Sequence, residues 1–188
     1  MTAAEIEALF TQPDGSFLCA RWGRPVAPVV FGLADGSLAV FKAALAAVFA
    51  HARQPMTDTD PEMGANLMVF AVRGWEELAG VPDFDRLTGL PDLPARLAAE
   101  GADRYRLLRF DGDGAIRACF SFLQLGGTLA EAHPAQLAED IGVNAALSFA
   151  RHVTPSADLA ALIRAAHDPL LPACARDPSH ALRLAARL

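Results

Sequence analysis

Lysine is almost missing from this sequence: of its 16 basic residues only Lys42 is not an arginine. The basic residues are outnumbered by 22 acidic ones, which leaves a formal charge of −6. A surface of that sign repels phosphate backbones and anionic headgroups, so neither nucleic acid nor a membrane is an expected partner. No apolar run approaches the roughly 20 residues of a membrane-spanning helix. The most apolar stretch, residues 38–50, is interrupted by Lys42 and followed by His51 and Arg53. The opening residues carry Glu5 and Glu7 where a secretory leader has basic residues and then an apolar stretch, which predicts the cytoplasm as the compartment. Cysteine is scarce too. Cys19, Cys119 and Cys174 lack the short spacing of a zinc knuckle or a redox dithiol, and an odd number cannot close into a full set of disulfides. They are expected to be reduced and mostly buried. Also missing are a phosphate-binding loop (Gly126-Gly127-Thr128 lacks the spacing), a G-x-S-x-G nucleophile elbow, and two histidines four apart on one helix.

What is present is enough for a core. The chain has 188 residues, 53% hydrophobic and 20% charged, with no repeat, low-complexity linker or composition break, and reads as a single domain over 1–188. Thr2 and Glu5 form a capping-box pattern ahead of a short helix, 3–10. Residues 17–22 and 26–31 read as strands, the second made an edge or irregular one by Pro28. Leu38, Phe41, Leu45, Val48 and Phe49 recur at helical spacing over 38–53, with alanines on most of the opposite side. The continuous apolar run 66–72 predicts a central strand buried on both faces. Residues 74–103, broken by Pro82, Pro91 and Pro94, read as a helical insertion over the core. Strands over 104–110 and 115–125 flank Asp111-Gly112-Asp113-Gly114, the turn of a β-hairpin. Three helices follow: 134–152, one capped by Asp158 and running to 166, and 179–188. This order predicts an α+β fold, with helices packed on a small, largely antiparallel sheet.

Several residue groups invite a chemical reading. Arg104, Arg106, Arg109 and Arg117 make the best anion-binding surface, although period-two placement predicts a solvated sheet face for Arg104 and Arg106. Asp58, Asp60 and Glu62 could gather a hard cation, but alternating carboxylates in a loop are more simply read as solvated. The Asp-Gly-Asp-Gly turn is no calcium loop, because Ala115 and Phe122 stand where such a loop needs acids. The five histidines, His51, His133, His152, His167 and His180, are scattered, and His180 with Asp177 and Ser179 is read as part of a helix start.

The order strand, long helix, central strand, insertion, hairpin, helix resembles the upper half of zincin metallopeptidases. Residues 21–26, 65–70, 137–142 and 162–169 also resemble segments of a zincin-like family of alphaproteobacteria. In zincins the helix after the hairpin carries H-E-x-x-H, two zinc ligands around a general base. Aligned on this chain, the motif falls on Ala135-Gln136-Leu137-Ala138-Glu139. Ala135 cannot ligate zinc, and the amide Gln136 cannot take a proton from water. The resemblance therefore implies a zincin-like shape with no metal, no cofactor and no peptidase chemistry.

These observations leave open a non-catalytic binding or assembly protein, with Gln136, Glu139, His133 and His167 as candidate binding residues for a small molecule or protein. A hydrolase with a non-standard metal or nucleophile site around His133, Glu139, His152 and His167 is the alternative. A homo-oligomer whose apolar excess covers a subunit interface is the third reading. Phe41, Leu45, Phe49, Leu67, Val69, Phe120, Phe122, Leu137 and Ile141 are expected in one contiguous core.

Overall fold

The computed structural model describes residues 1–188. Helix α1 (Ala3–Phe10) starts as the sequence predicts: Thr2 Oγ1 accepts from Glu5 N–H, and the Glu5 carboxylate accepts from Thr2 N–H at 2.6 Å. There follow β1 (Cys19–Ala20), β2 (Pro28–Phe31), helix α2 (Asp35–His51) and β3 (Leu67–Val72). The insertion is a 3-10 helix, Trp75–Gly80, then α3 (Phe84–Thr88) and α4 (Leu93–Ala99). The hairpin is β4 (Arg104–Phe110) and β5 (Ile116–Gln124), its turn held by Asp111 Oδ1, which accepts from the N–H groups of Asp113 and Ala115. Helix α5 (Pro134–Ala146), α6 (Ala157–Ala166), β6 (Cys174–Ala175) and α7 (His180–Ala185) complete the chain. No helix is long and apolar enough to cross a membrane.

The class is α+β, but the main sheet is mixed rather than largely antiparallel. Its order is β2-β3-β5-β4, with β2/β3 and β3/β5 parallel and only the β4/β5 hairpin antiparallel. Helix α2 carries the chain back between β2 and β3, and the insertion with β4 carries it back between β3 and β5. Crossovers of that length permit parallel pairing, and β3 is buried between two neighbours as its unbroken apolar run requires. A second sheet pairs only β1 with β6.

Period-two alternation sends the residues of each strand to two different cores. Leu67, Val69, Cys119 and Leu123 pack with Phe41, Leu45 and Phe49 of α2 and Leu137 and Ile141 of α5. Phe70, Phe120 and Phe122 face the other way, against Trp75, Leu78, Phe84, Leu93 and Leu97 of the insertion. The expected nine-residue core is thus seven residues on one face of the sheet, with Phe120 and Phe122 on the other. A third cluster joins α1, the end of α5, α6 and α7. The two helices on the first face touch closely at Gly142, where a Cβ would lie 3.0 Å from Val48 Cβ.

Several helix ends differ from the pattern: α2 starts earlier, at Asp35, and α7 is shorter, His180–Ala185. Helix α5 stops at Ala146 instead of running to 152, because residues 147–150 are claimed by the N-terminal segment. Ser148 N–H donates to Ala20 O at 3.0 Å, and Ala150 N–H donates to Leu9 O at 2.8 Å. The cap of α6 is Ser156, whose Oγ accepts from Leu159 N–H, and Asp158 lies inside the first turn. Two of the three loop carboxylates do not stand free for a cation. Asp60 is buried and accepts from Glu62 N–H, Met63 N–H and Asn66 Nδ2, while Glu62 pairs with Arg24 and Arg117, each at 3.0 Å.

Candidate functional site

Edge strand β4 and helix α5 leave a cleft of about 240 Å³ between them, closed at one end by residues 150–152. Alternation on β4 turns Arg104, Arg106 and Leu108 to the α5 side of the sheet. The face expected to be solvated is therefore the wall of a cleft. From β5 comes Ser121, opposite Arg106 in register; from α5 come Asp140, Ile141 and Asn144; from the loop come Arg151 and His152.

Asn144 positions the loop. Its Nδ2 donates to Asp140 O and to Val153 O at 2.9 and 2.8 Å, and its Oδ1 accepts from Val153 N–H at 2.9 Å. One buried amide thus ties the segment bearing Arg151 and His152 to the last turn of α5. Replacing Asn144 with alanine should cost about 2 kcal/mol, because a buried N–H and two carbonyls lose their partner together. Urea denaturation reads this directly, and a loss under about 0.5 kcal/mol would show that the loop is held by other contacts.

Arg106 closes the other end of the same turn. Its guanidinium donates to the carbonyl oxygens of Asn144, Leu147 and Phe149, which the end of α5 leaves without helical partners. Burial lowers its pKa, and no carboxylate lies within ion-pair distance. Three of its five N–H groups are used, which leaves two donors on a half-buried cation. Arg151 is exposed at the cleft mouth and has no ion-pair partner either.

Arg104, Asp140 and His152 form a linked cluster. Arg104 Nη1 donates to Asp140 Oδ2 at 3.1 Å and lies 2.8 Å from His152 Nε2, which is itself 3.0 Å from Asp140 Oδ1. The rest of the Arg104 guanidinium grips Asp103, whose carboxylate also accepts from Thr128 Oγ1. Burial raises the Asp140 pKa against the opposing pull of Arg104 and His152. Burial lowers that of His152, with Arg104 and Arg106 acting in the same direction and Asp140 against them.

The candidates read from sequence do not converge. His133 is the N-cap of α5, its Nδ1 accepting from Ala135 N–H, and Gln136 reaches back to His133 N–H in the same capping box. Gln136 and Glu139 line a neighbouring recess of about 280 Å³ that shares Arg104 and Asp140 with the cleft. His167 is buried at the end of α6, away from both. Of the four residues proposed for a hydrolase, only His152 lies in the cleft between β4 and α5. Asp140, Asn144 and Arg151 were missed, although Asp140 and Asn144 share one face of α5 by their four-residue spacing.

Alanine has no metal-binding side chain and an amide takes no proton from water, so Ala135 and Gln136 at the start of α5 supply neither a zinc ligand nor a base. No three His, Cys, Asp or Glu side chains anywhere are grouped to hold a metal ion. His152 presents one nitrogen to both Asp140 and Arg104, and its Nδ1 touches no hydroxyl or thiol. A nucleophile–base–acid relay needs the two ring nitrogens on opposite partners. Compared with protein-family models, with curated proteins and with solved structures, the chain matches none.

Proposed function

We propose that this chain is a non-catalytic binding domain of the cytoplasm, zincin-like in its element order, whose cleft between β4 and α5 holds a small anion. The observation that carries the reading is the pair of guanidiniums, Arg106 and Arg151, that line the cleft with no carboxylate partner. Arg104 is already held by Asp103 and Asp140, so Arg106 and Arg151 are the cations left to meet an anion. Guanidinium forks fit carboxylate, sulfate and phosphate oxygens through two parallel N–H donors. At about 240 Å³ the cleft is smaller than the ~300–1,000 Å³ of drug-sized pockets, which favours a metabolite over a peptide. Helix α5, where the resemblance places the lost metal motif, supplies one wall. The three unpaired cysteines agree with a reducing compartment.

Calorimetric titration with sulfate and with succinate tests this reading. Saturable binding at one site is expected, and Arg151→Gln should weaken it about tenfold, the loss of one charge-assisted contact. Arg151 packs against nothing in the core, so that variant should fold normally. Absence of saturable binding by either anion would refute the anion reading.

A further inference from the structure

His152 Nε2 has two neighbours that make opposite demands. At 2.8 Å, Arg104 Nη1 can only donate, so it needs a neutral ring with its lone pair on Nε2. At 3.0 Å, the Asp140 carboxylate can only accept, so it needs a proton on Nε2. One nitrogen cannot do both. With the ring neutral, Arg104 Nη1 is shared between His152 and Asp140. With the ring protonated, Nε2–H turns to Asp140 Oδ1, and a guanidinium 2.8 Å from an imidazolium is repelled. Arg104 stays fixed by Asp103 through Nε and Nη2, and its guanidinium is planar and rigid, so the His152 ring is the part that turns and the Nη1 hydrogen it leaves becomes a free donor in place.

We propose that the cleft takes up its anion together with one proton, His152 Nε2 receiving the proton and passing Arg104 Nη1 from itself to the anion. The inference rests on the anion reading of the cleft and adds its regulation. No covalent bond changes: the proton comes from solvent, the His152–Arg104 contact is exchanged for His152–Asp140, and the cleft gains one positive charge. Every charged group facing His152 enters the balance. Asp140 on α5 and Asp103 before β4 favour the protonated ring, while Arg104 and Arg106 on β4 oppose it. Arg151, next along the chain, adds a further cation. An anion seated against Arg106 and Arg151 shields the ring from those cations and tips the balance to the protonated form. By linkage, acid must then tighten the anion to the same degree that the anion raises the affinity of His152 for its proton.

Sulfate is the probe, because it stays doubly charged across the range and any pH dependence belongs to the protein. Calorimetry at about pH 5.5 and about pH 7.5 should show binding about tenfold tighter at the lower value. At the higher pH, heats in two buffers of different ionisation enthalpy should report uptake of up to one proton. His152→Ala should still bind sulfate but with an affinity flat in pH. Binding in the wild type with no pH dependence and no proton uptake would overturn the proposal while leaving the anion site standing. His152→Ala retaining the full pH dependence would overturn it too, by placing the proton on Asp140. No sulfate binding at either pH would remove the anion reading, and the proton-coupled uptake with it.

Discussion

Phe122→Ala is expected to lower stability by about 3–5 kcal/mol in urea denaturation, the range for emptying a buried aromatic site. Phe122 is fully buried where an aromatic row crosses the whole sheet. In register across the four strands stand Phe31, Phe70, Phe122 and Tyr105. Phe31 stacks on Phe70 at 5.1 Å between centroids, and Phe70 on Phe122 at 5.2 Å. Phe84 of the insertion meets Phe122 edge-on at 5.6 Å. Removing this ring empties the contact between sheet and insertion, and offset and edge-on aromatic pairs add about 0.5–1.5 kcal/mol each to the area they bury. Phe31 begins the same row but is 48% exposed on edge strand β2, so Phe31→Ala should cost about 1 kcal/mol or less. Equal losses in the two variants would mean that the insertion does not close over the sheet as described.

Phe122 also shows where sequence reading stops. Its alternation with Cys119, Ser121 and Leu123 marks a strand, and the hairpin, the central strand and the Thr2–Glu5 capping box are all local patterns that the structure keeps. Alternation separates the two faces of a strand but does not say which neighbour covers each when both are apolar. Phe120 and Phe122 therefore could not be assigned to the insertion from their spacing alone. Strand direction was equally hidden, since parallel and antiparallel strands read alike along one chain and only the crossovers tell them apart. The end of α5 is decided by Leu9, Ala20 and Arg106, distant residues that outcompete a helical stripe continuing to Phe149.

The cleft was legible in its cations and illegible in its walls. The two-residue spacing of Arg104 and Arg106 correctly put them on one face of β4. A solvated face was the natural expectation, because nothing between residues 104 and 134 announces that α5 will pack beside it. Asp140 and His152 lie twelve positions apart, a spacing without meaning on one helix. They meet because α5 ends at Ala146 and Asn144 folds the following loop back. His133 and Gln136 carried a pattern with a simpler explanation, a capping box with histidine as its cap.

Acid is expected to destabilise the protein by about 3 kcal/mol through His167 alone as the pH falls from about 6.5 to about 4. His167 Nδ1 lies 2.8 Å from Ile163 O; a carbonyl only accepts, so Nδ1 carries the hydrogen and Nε2 the lone pair. Nε2 is buried without a hydrogen-bond partner. A second proton there would create a buried cation with no acceptor, and Arg21 adds repulsion. Burial accordingly pushes the pKa from the ordinary 6.5 down to about 4. The unfolded chain takes up this proton near 6.5 and the native protein only near 4, so between these values the unfolded state holds more protons. Stability is therefore full above about pH 6.5, falls as the pH drops towards about 4, and loses nothing more to this group below that. His180, also buried and lowered by burial, slopes in the same direction. Urea midpoints between about pH 7 and about pH 4.5 should fall steeply in the wild type and less steeply in His167→Gln, whose side chain can still donate to Ile163 O but cannot charge. A neutral-pH loss in the variant would not disturb the test, which reads the slope. An unchanged slope in His167→Gln would place the acid sensitivity elsewhere, in His180 or the His152 cluster.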